Sequence, residues 1–396
     1  MSYGFPFGDE PQTDDWELML RGRGMSCEIE FMAVGSGSRP GDAIIVRYGT
    51  EASFHLMVID GGDIACGERM VSHIRTHFGP NAYVNHMVLT HSDMDHASGL
   101  REILKEMRVA NLWLHMPWLN ASEAVELFED KRWTAVGLET AIRREYDVIS
   151  EIVDLALNQG TTIRQPFTGA DIGAFRVLSP TKAAYLHLLP QFDRTPAPDR
   201  ALLQARNMWV GYSGVRTALS SIFERVIERV QRWIPETRLF ELLRDGGVTS
   251  PSNETSLVLY GVFSNAGRIL FTGDAGVNAL TWAANYANER GLPLQEFSFA
   301  QVPHHGSRRN VGPTILNRII GPIQPSATQR LTAYISAPPK DETHPRRIVV
   351  NAFIRRGATV IATQGQDKLF SGGFPSRLGY VNVMPLLFAN EVEEYD

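Results

Sequence analysis

The sequence predicts a layered α/β fold. Apolar runs of strand length alternate with segments of helical period, and the runs end in polar residues able to hold a ligand. From Cys27 the runs CEIEFMAV, DAIIVRY and SFHLMVID, separated by Gly/Ser/Pro turns, read as a meander feeding a sheet. A helix near Glu68–His77, the strand HMVLT, a helix over Gly99–Met107 and the strand NLWLH follow. Residues 122–158 repeat apolar positions at helical period, and the next strand pair closes at FRVLSP. The alternation resumes with TSLVLYGVF, RILFTGD, a helix near Val277–Arg290, FSFAQVPHHG, LTAYIS, a helix from Pro345, and ATVIATQ.

Two stretches break the rhythm. Residues 1–24 are polar, acidic and punctuated by Gly and Pro, and read as a flexible acidic leader. Residues 181–250 hold a Pro-rich loop, then ALSSIFERVIERVQRWI and RLFELLRDGG at helical spacing, and read as a helical insertion. Phe223, Val226, Ile227, Val230 and Ile234 form its apolar stripe, which packs on the parent domain or engages a protein partner. Residues 25–396 read as one domain that this insertion interrupts.

Composition excludes several classes. With 396 residues, 43% hydrophobic and 21% charged, the chain is neither disordered nor fibrous. No apolar run reaches the roughly 18 residues of a membrane span, and the first residues lack a basic region followed by an apolar stretch. Cys27 and Cys66 are too few for a disulfide framework. A cytoplasmic protein without a membrane partner is the expectation. The net charge of −6 is uneven: His304 to Arg377 holds eleven Lys/Arg against three acids, while the other 322 residues sum to −14.

The most informative stretch is VLTHSDMDHASGL, residues 88–100, where a β run delivers His91, Asp93, Asp95 and His96 into one turn. Imidazole and carboxylate are ligands of Zn²⁺ and Mn²⁺. Helix capping accounts for one or two of the carboxylates and for neither histidine. LMVIDGG ends at Asp60, RILFTGDAG carries Asp274, and FAQVPHHGS carries His304 and His305. Sites form outside strand carboxyl ends in open α/β sheets, so these residues are expected to converge.

HSDMDH resembles the metallo-β-lactamase-fold signature HxHxDH, with Asp93 in place of the second histidine. With TGD and VPHHGS downstream, this HxDxDH version resembles the hydrolase domain of the competence (DNA-uptake) protein ComEC and its soluble relatives. EIEFMAVGSGSRPGDAIIV, SNETSLVLYG and ISAPPKDETHPRRIVVNAFIRRGATVIAT resemble further pieces of that family, in order, over about residues 28–370. The resemblance implies an αββα four-layer sandwich with two metal ions at one edge. It implies His91 and Asp93 on one ion, Asp95 and His96 on the other, and Asp274 between them. One of the HH pair serves the second ion: His305 with His304 turned to substrate, the reverse arrangement staying open. Asp60 is implied to fix the histidine loop. The wider fold often adds a histidine to the first ion; here His115, Asn253 or solvent stands in that role.

Two cations bridged by a carboxylate acidify a water and clamp the oxygens of a displacement at phosphorus. Asp95 is expected to orient the nucleophile, and Ser307 lacks the strand–turn–helix elbow of a nucleophilic serine. Ser307, Arg308, Arg309, His344 and Arg346 are expected to face substrate, because guanidinium and helix N-termini suit phosphate. The alternative is that RRIVVNAFIRR is an ordinary helix with solvated arginines. The expected function is a metal-dependent phosphodiesterase, a nuclease acting on DNA. Hydrolysis of a small phosphodiester or nucleotide signal, and a metal-stabilised regulatory module, are the alternatives. The tail EVEEYD reads as a solvated terminus.

Overall fold

The computed structural model describes residues 24–35, 41–209, 232–324, 329–377, 379–380 and 383–395. The leader up to residue 23 and the stripe residues Phe223, Val226, Ile227 and Val230 lie outside them. The strands in chain order are β1 Ser26–Phe31, β2 Ala43–Gly49, β3 Phe54–Gly61, β4 Val84–Val88, β5 Val109–Trp113, β6 Thr162–Arg164, β7 Asp171–Ile172 and β8 Phe175–Ser179. Then come β9 Trp233–Pro235, β10 Val258–Phe263, β11 Gly267–Phe271, β12 Phe297–Gln301, β13 Leu331–Ile335, β14 Ala358–Ala362, β15 Lys368–Gly372 and β16 Glu391–Glu393. The main helices are α1 Ile64–Phe78, α2 Leu100–Glu106, α3 Ala135–Glu145, α4 Asp147–Asn158, α5 Lys182–Leu188, α6 Val277–Glu289, α7 Pro313–Ile319 and α8 Arg347–Arg355. Among the described residues no helix is long and apolar enough to cross a membrane.

Two seven-stranded sheets form, ordered β15-β1-β2-β3-β4-β5-β6 and β14-β13-β12-β11-β10-β8-β7. Each is antiparallel in one part and parallel in the other, through β3 to β6 in the first and β11 to β14 in the second. Strand faces explain the layering. Ile44, Val46 and Tyr48 of β2 point between the sheets, while Ala43 and Ile45 point to the outer helices. Both faces are buried through Val46, so Ala43–Val46 reads as continuous apolar sequence before Arg47. A core around Phe299, which meets Phe31, Phe271, Tyr334 and Phe370 at 5.0–5.9 Å between rings, fills the space between the sheets. Separate cores bind α1, α2 and α4 to the first sheet and α6, α7 and α8 to the second. The result is helix, sheet, sheet, helix, the four-layer sandwich expected.

Local boundaries moved for identifiable reasons. α1 starts at Ile64 because Asp63 Oδ1 accepts the amide of Cys66 at 2.7 Å. The helical stretch 122–158 splits, with Tyr146 (φ −105°, ψ 50°) between α3 and α4. RLFELLRDGG is not a helix: Thr237 bridges to Phe240 and the chain continues without regular secondary structure. Tertiary contacts override its period there, since Glu236 and Glu241 reach out to Arg355 and Arg356 of the α8 region. Within the predicted insertion, Tyr185, Leu188 and Leu189 join the core under the first sheet.

The described tail is packed in part, with Glu391 and Glu394 exposed. Residues 391–393 pair with β9, Val392 is buried, and Glu393 accepts the first amides of α8, Arg347 at 2.9 Å and Ile348 at 3.3 Å. That carboxylate occupies the helix N-terminus considered above for a substrate anion.

Candidate metal centre

The strand carboxyl ends meet at one edge of the sandwich. β3 carries Asp60 next to its last residue, β4 leads through Thr90 into His91–His96, β11 leads into Asp274, and β12 leads into His304 and His305. Backbone strain concentrates here. Asp60, His304 and His305 have φ of 57°, 46° and 55°, left-handed conformations that non-glycine residues adopt at a cost of order 1–3 kcal/mol each. His304 is pinned there by its amide, which donates to the carbonyl of Gly273 at 3.1 Å.

Each histidine is oriented by a partner on Nδ1. His96 donates to Asp60 Oδ2 at 2.8 Å. Asp60 also takes the amide of Thr90 at 2.8 Å and its hydroxyl at 2.7 Å. With that hydroxyl hydrogen engaged, Thr90 Oγ1 accepts from His91 Nδ1 at 3.0 Å. His305 Nδ1 donates to the carbonyl of Ser336 at 3.1 Å. His304 Nδ1 donates to Asn310 Oδ1 at 2.8 Å, and Asn310 is itself fixed by donating to the carbonyl of Asp274. Four bare Nε2 lone pairs therefore remain, and all four face one carboxylate. Asp274 Oδ2 lies 3.8, 3.5 and 3.6 Å from His91, His96 and His304, and Asp274 Oδ1 lies 3.6 Å from His305.

These are acceptors facing an acceptor. Nε2 of His91, His96 and His305 and Oδ1 of Asp274 are buried with no hydrogen-bond partner, which is costly without a cation. Ligand atoms about 2.1 Å from a tetrahedral ion lie roughly 3.4 Å apart, close to these separations. Asp95 joins His96 and His305, and Asp93 Oδ2 lies 3.6 Å from His91 Nε2 while its Oδ1 accepts from Ser252 at 2.8 Å. The donor set thus fits divalent ions by chemistry and by spacing.

The electrostatics agree. Burial works against charge on Asp274, but His304, His305 and His96 hold its carboxyl well below the usual range. Burial opposes protonation of His96, yet Asp274 and Asp60 raise it well above an ordinary histidine, so without a cation its Nε2 holds a proton toward Asp274, the positive charge that a bound ion would replace. Burial drives His305 down to about 3, so its lone pair stays available. Burial also lifts Asp42 to about 7 and raises Asp95.

Other expected site residues are placed differently. His115 takes no part in the cluster: its Nε2 donates to the carbonyl of Pro166 at 2.8 Å, and its ring packs on Phe167 and Tyr185. Asn253 is at the site, its amide 3.2 Å from His304 Nδ1 and its Oδ1 without a partner. Ser307 is buried in the turn, where its Oγ accepts the amide of Arg309. Arg308 donates to the carbonyl of Glu394 at 2.8 Å and lies over Tyr395. Arg309 is exposed, and Arg346 is half-buried as N-cap of α8. His344 stacks on His304 at 6.1 Å, with Nδ1 on Asp341 Oδ2 at 3.1 Å. Arg355 and Arg356 are buried against Glu236 and Glu241, neither solvated nor open to a phosphate.

Sequence reasoning missed Asp42, Gln301, Asn310 and Asp341. Asp42 carried a signal, since it follows a glycine at a strand start as Asp60 follows a strand run. The amide side chains carried none.

No family model and no curated protein matches the chain. Among solved structures it is similar to the metallo-β-lactamase fold protein YhfI from Bacillus subtilis, at 7% identity over 88% of this chain and 100% of that one, TM-score 0.39. It is similar to unliganded yeast PDE1 at 11% identity over 86% and 99%, TM-score 0.39. Zn²⁺-bound PqqB from Methylobacterium extorquens matches at 11% identity over 86% and 99%, TM-score 0.37.

Proposed function

We propose that the chain is a metal-dependent hydrolase of phosphodiesters, resembling the ComEC-type hydrolase domain, with two divalent ions, Zn²⁺ or Mn²⁺, held around Asp274. The observation that carries this reading is the convergence of four Nε2 lone pairs, three of them buried and without a hydrogen-bond partner, on one buried carboxylate. His91, Asp93 and Asp274 would hold one ion, and Asp95, His96, His305 and Asp274 the other. His304 faces Asp274 Oδ2, as His91 and His96 do, and groups with Asp274 and His305, so it is a further candidate ligand where His115 takes no part.

Divalent ions at such a pair polarise a phosphoryl oxygen and acidify water. The protein's own groups do the rest. Asp95 is only half-buried and so is placed to accept a proton from the attacking water. His344, held through Nδ1 by Asp341, keeps Nε2 for a hydrogen bond to the substrate. Arg309, exposed beside the HHGS turn, supports a phosphate contact.

DNA is the substrate that the motif set HSDMDH, TGD and VPHHGS supports, through its resemblance to the DNA-uptake protein. A small phosphodiester or nucleotide signal is the second reading. It is favoured by one observation: Arg308, Arg355, Arg356 and Arg377 of the basic segment are engaged within the fold. The expected protein partner at residues 181–250 and a cytoplasmic location stay with this proposal. The test is hydrolysis of single-stranded, duplex and circular DNA and of bis(p-nitrophenyl) phosphate with added Mn²⁺ or Zn²⁺. Wild type is compared with Asp93→Ala and Asp274→Ala. Metal-dependent cleavage lost in both variants supports the reading; equal, metal-independent activity in all three rejects it.

A further inference from the structure

We propose that Asp42 and Gln301 are positioning residues that hold the two halves of the metal centre in register across the sandwich. The inference rests on the metal-centre reading and deepens it. The ligands come from two different sheets: His91–His96 follows β4 in the first, and Asp274, His304 and His305 follow β11 and β12 in the second. Backbone ladders fix distances within each sheet. Between the sheets the core is packed side chains, whereas metal ligation tolerates about 0.2 Å. A polar cross-link at the ligand edge meets that demand.

Gln301 ends β12 and is buried. Its Oε1 accepts the amides of Thr272 and Gly273, both at 3.0 Å, which fixes the turn that presents Asp274. Its Nε2 donates across the sandwich to Asp42 Oδ2 at 2.7 Å. Asp42 stands before β2 of the first sheet, and its carbonyl accepts the amide of Gly62 at 2.8 Å. The same Oδ2 lies 3.9 Å from His96 Nδ1, within the group formed by Asp42, Asp60 and His96. The preceding residue presses on the ligand loop: a Cβ at Gly41 would lie 2.2 Å from the carbonyl oxygen of Asp95. The path therefore runs from Asp95 and His96 through Asp42 and Gln301 to the turn of Asp274. A glutamine suits the junction because one planar amide offers an acceptor to one sheet and a donor to the other. A carboxylate in place of this amide would still accept both backbone amides but would stand against the carboxylate of Asp42.

The test is calorimetric titration of Zn²⁺ into Gln301→Glu, Asp42→Ala and the double variant Asp42→Asn/Gln301→Glu. Thermal unfolding of each is measured in chelator. In the double variant the amide introduced at position 42 donates to the carboxylate introduced at position 301, so the link re-forms with its direction reversed. Wild type is expected to bind two ions. Gln301→Glu and Asp42→Ala are expected to lose about 10–100-fold in affinity for at least one ion, with much smaller effects on the chelated protein's melting temperature. The double variant is expected to recover most of that affinity. Wild-type affinity in both folded single variants overturns the proposal. So does an affinity loss that only parallels loss of the chelated protein's stability, with no recovery in the double variant. Wild type that binds no metal overturns the metal-centre reading itself, and this inference with it.

Discussion

Asp60 Oδ2 lies 2.8 Å from His96 Nδ1, and this contact decides which nitrogen of His96 is bare. Asp60 also holds Thr90, which orients His91, so one buried carboxylate sets the direction of two histidines. Asp60→Asn is the informative change, because asparagine tolerates the left-handed backbone (φ 57°). It is expected to lower Zn²⁺ affinity by about 10–100-fold, measured by competition with a chromophoric chelator. Unchanged affinity would remove Asp60 from the account of the site.

Asp274→Asn removes the charge that all four Nε2 atoms face. Metal bound only by the folded state stabilises it by about 2.7 kcal/mol at one hundred times its Kd. Wild type is therefore expected to melt several degrees higher in Zn²⁺ than in chelator. The variant should show little of this gap and no metal-dependent hydrolysis. A full Zn²⁺ shift in Asp274→Asn would sink the bridging role.

Acid should destabilise the fold through histidines kept neutral away from the centre. Burial lowers His115 to about 3, partly opposed by the carbonyl of Pro166. Burial, then His55 and Arg164, lowers His86 to about 4. The unfolded chain protonates both near 6.5 and the native state does not, so stability falls as pH drops below about 6.5. Each group removes about 1.4 kcal/mol per pH unit until its folded value is reached. Urea titrations between pH 7.5 and 5 check this. His115→Gln should show a shallower slope than wild type, by about one proton, and an identical slope counts against the assignment.

The arginines of the basic segment should divide by burial. Arg355 Nη1 pairs with Glu236 Oε1 at 3.0 Å, both buried. Arg355→Ala leaves that carboxylate uncompensated and is expected to cost about 3–5 kcal/mol in chemical denaturation. Arg309→Ala, at an exposed position, should stay within about 0.5 kcal/mol, and should instead raise KM for a phosphodiester substrate. Equal stability losses would contradict this division.

Much of the centre is legible in the sequence. Apolar runs ending in Asp or His report strands, and parallel strands carry their last residues to one edge, so the convergence of Asp60, His91, His96, Asp274 and His305 follows from local pattern. Ligand chemistry is a property of residue type and needs no tertiary knowledge.

What only the tertiary structure decided depends on partners distant in the chain. His304 and His305 are adjacent and alike in sequence; Asn310 and Ser336 make them distinct. His115 ends a strand as His91 does, but Phe167 and Tyr185 enclose it. Arg355 and Arg356 look like a phosphate-binding face until Glu236 and Glu241, more than 100 positions away, neutralise them. The acidic tail caps α8 because β16 found β9. A charge in sequence is a formal quantity. Its availability depends on which opposite charge the fold brings within about 4 Å, and that is a long-range outcome no local pattern encodes.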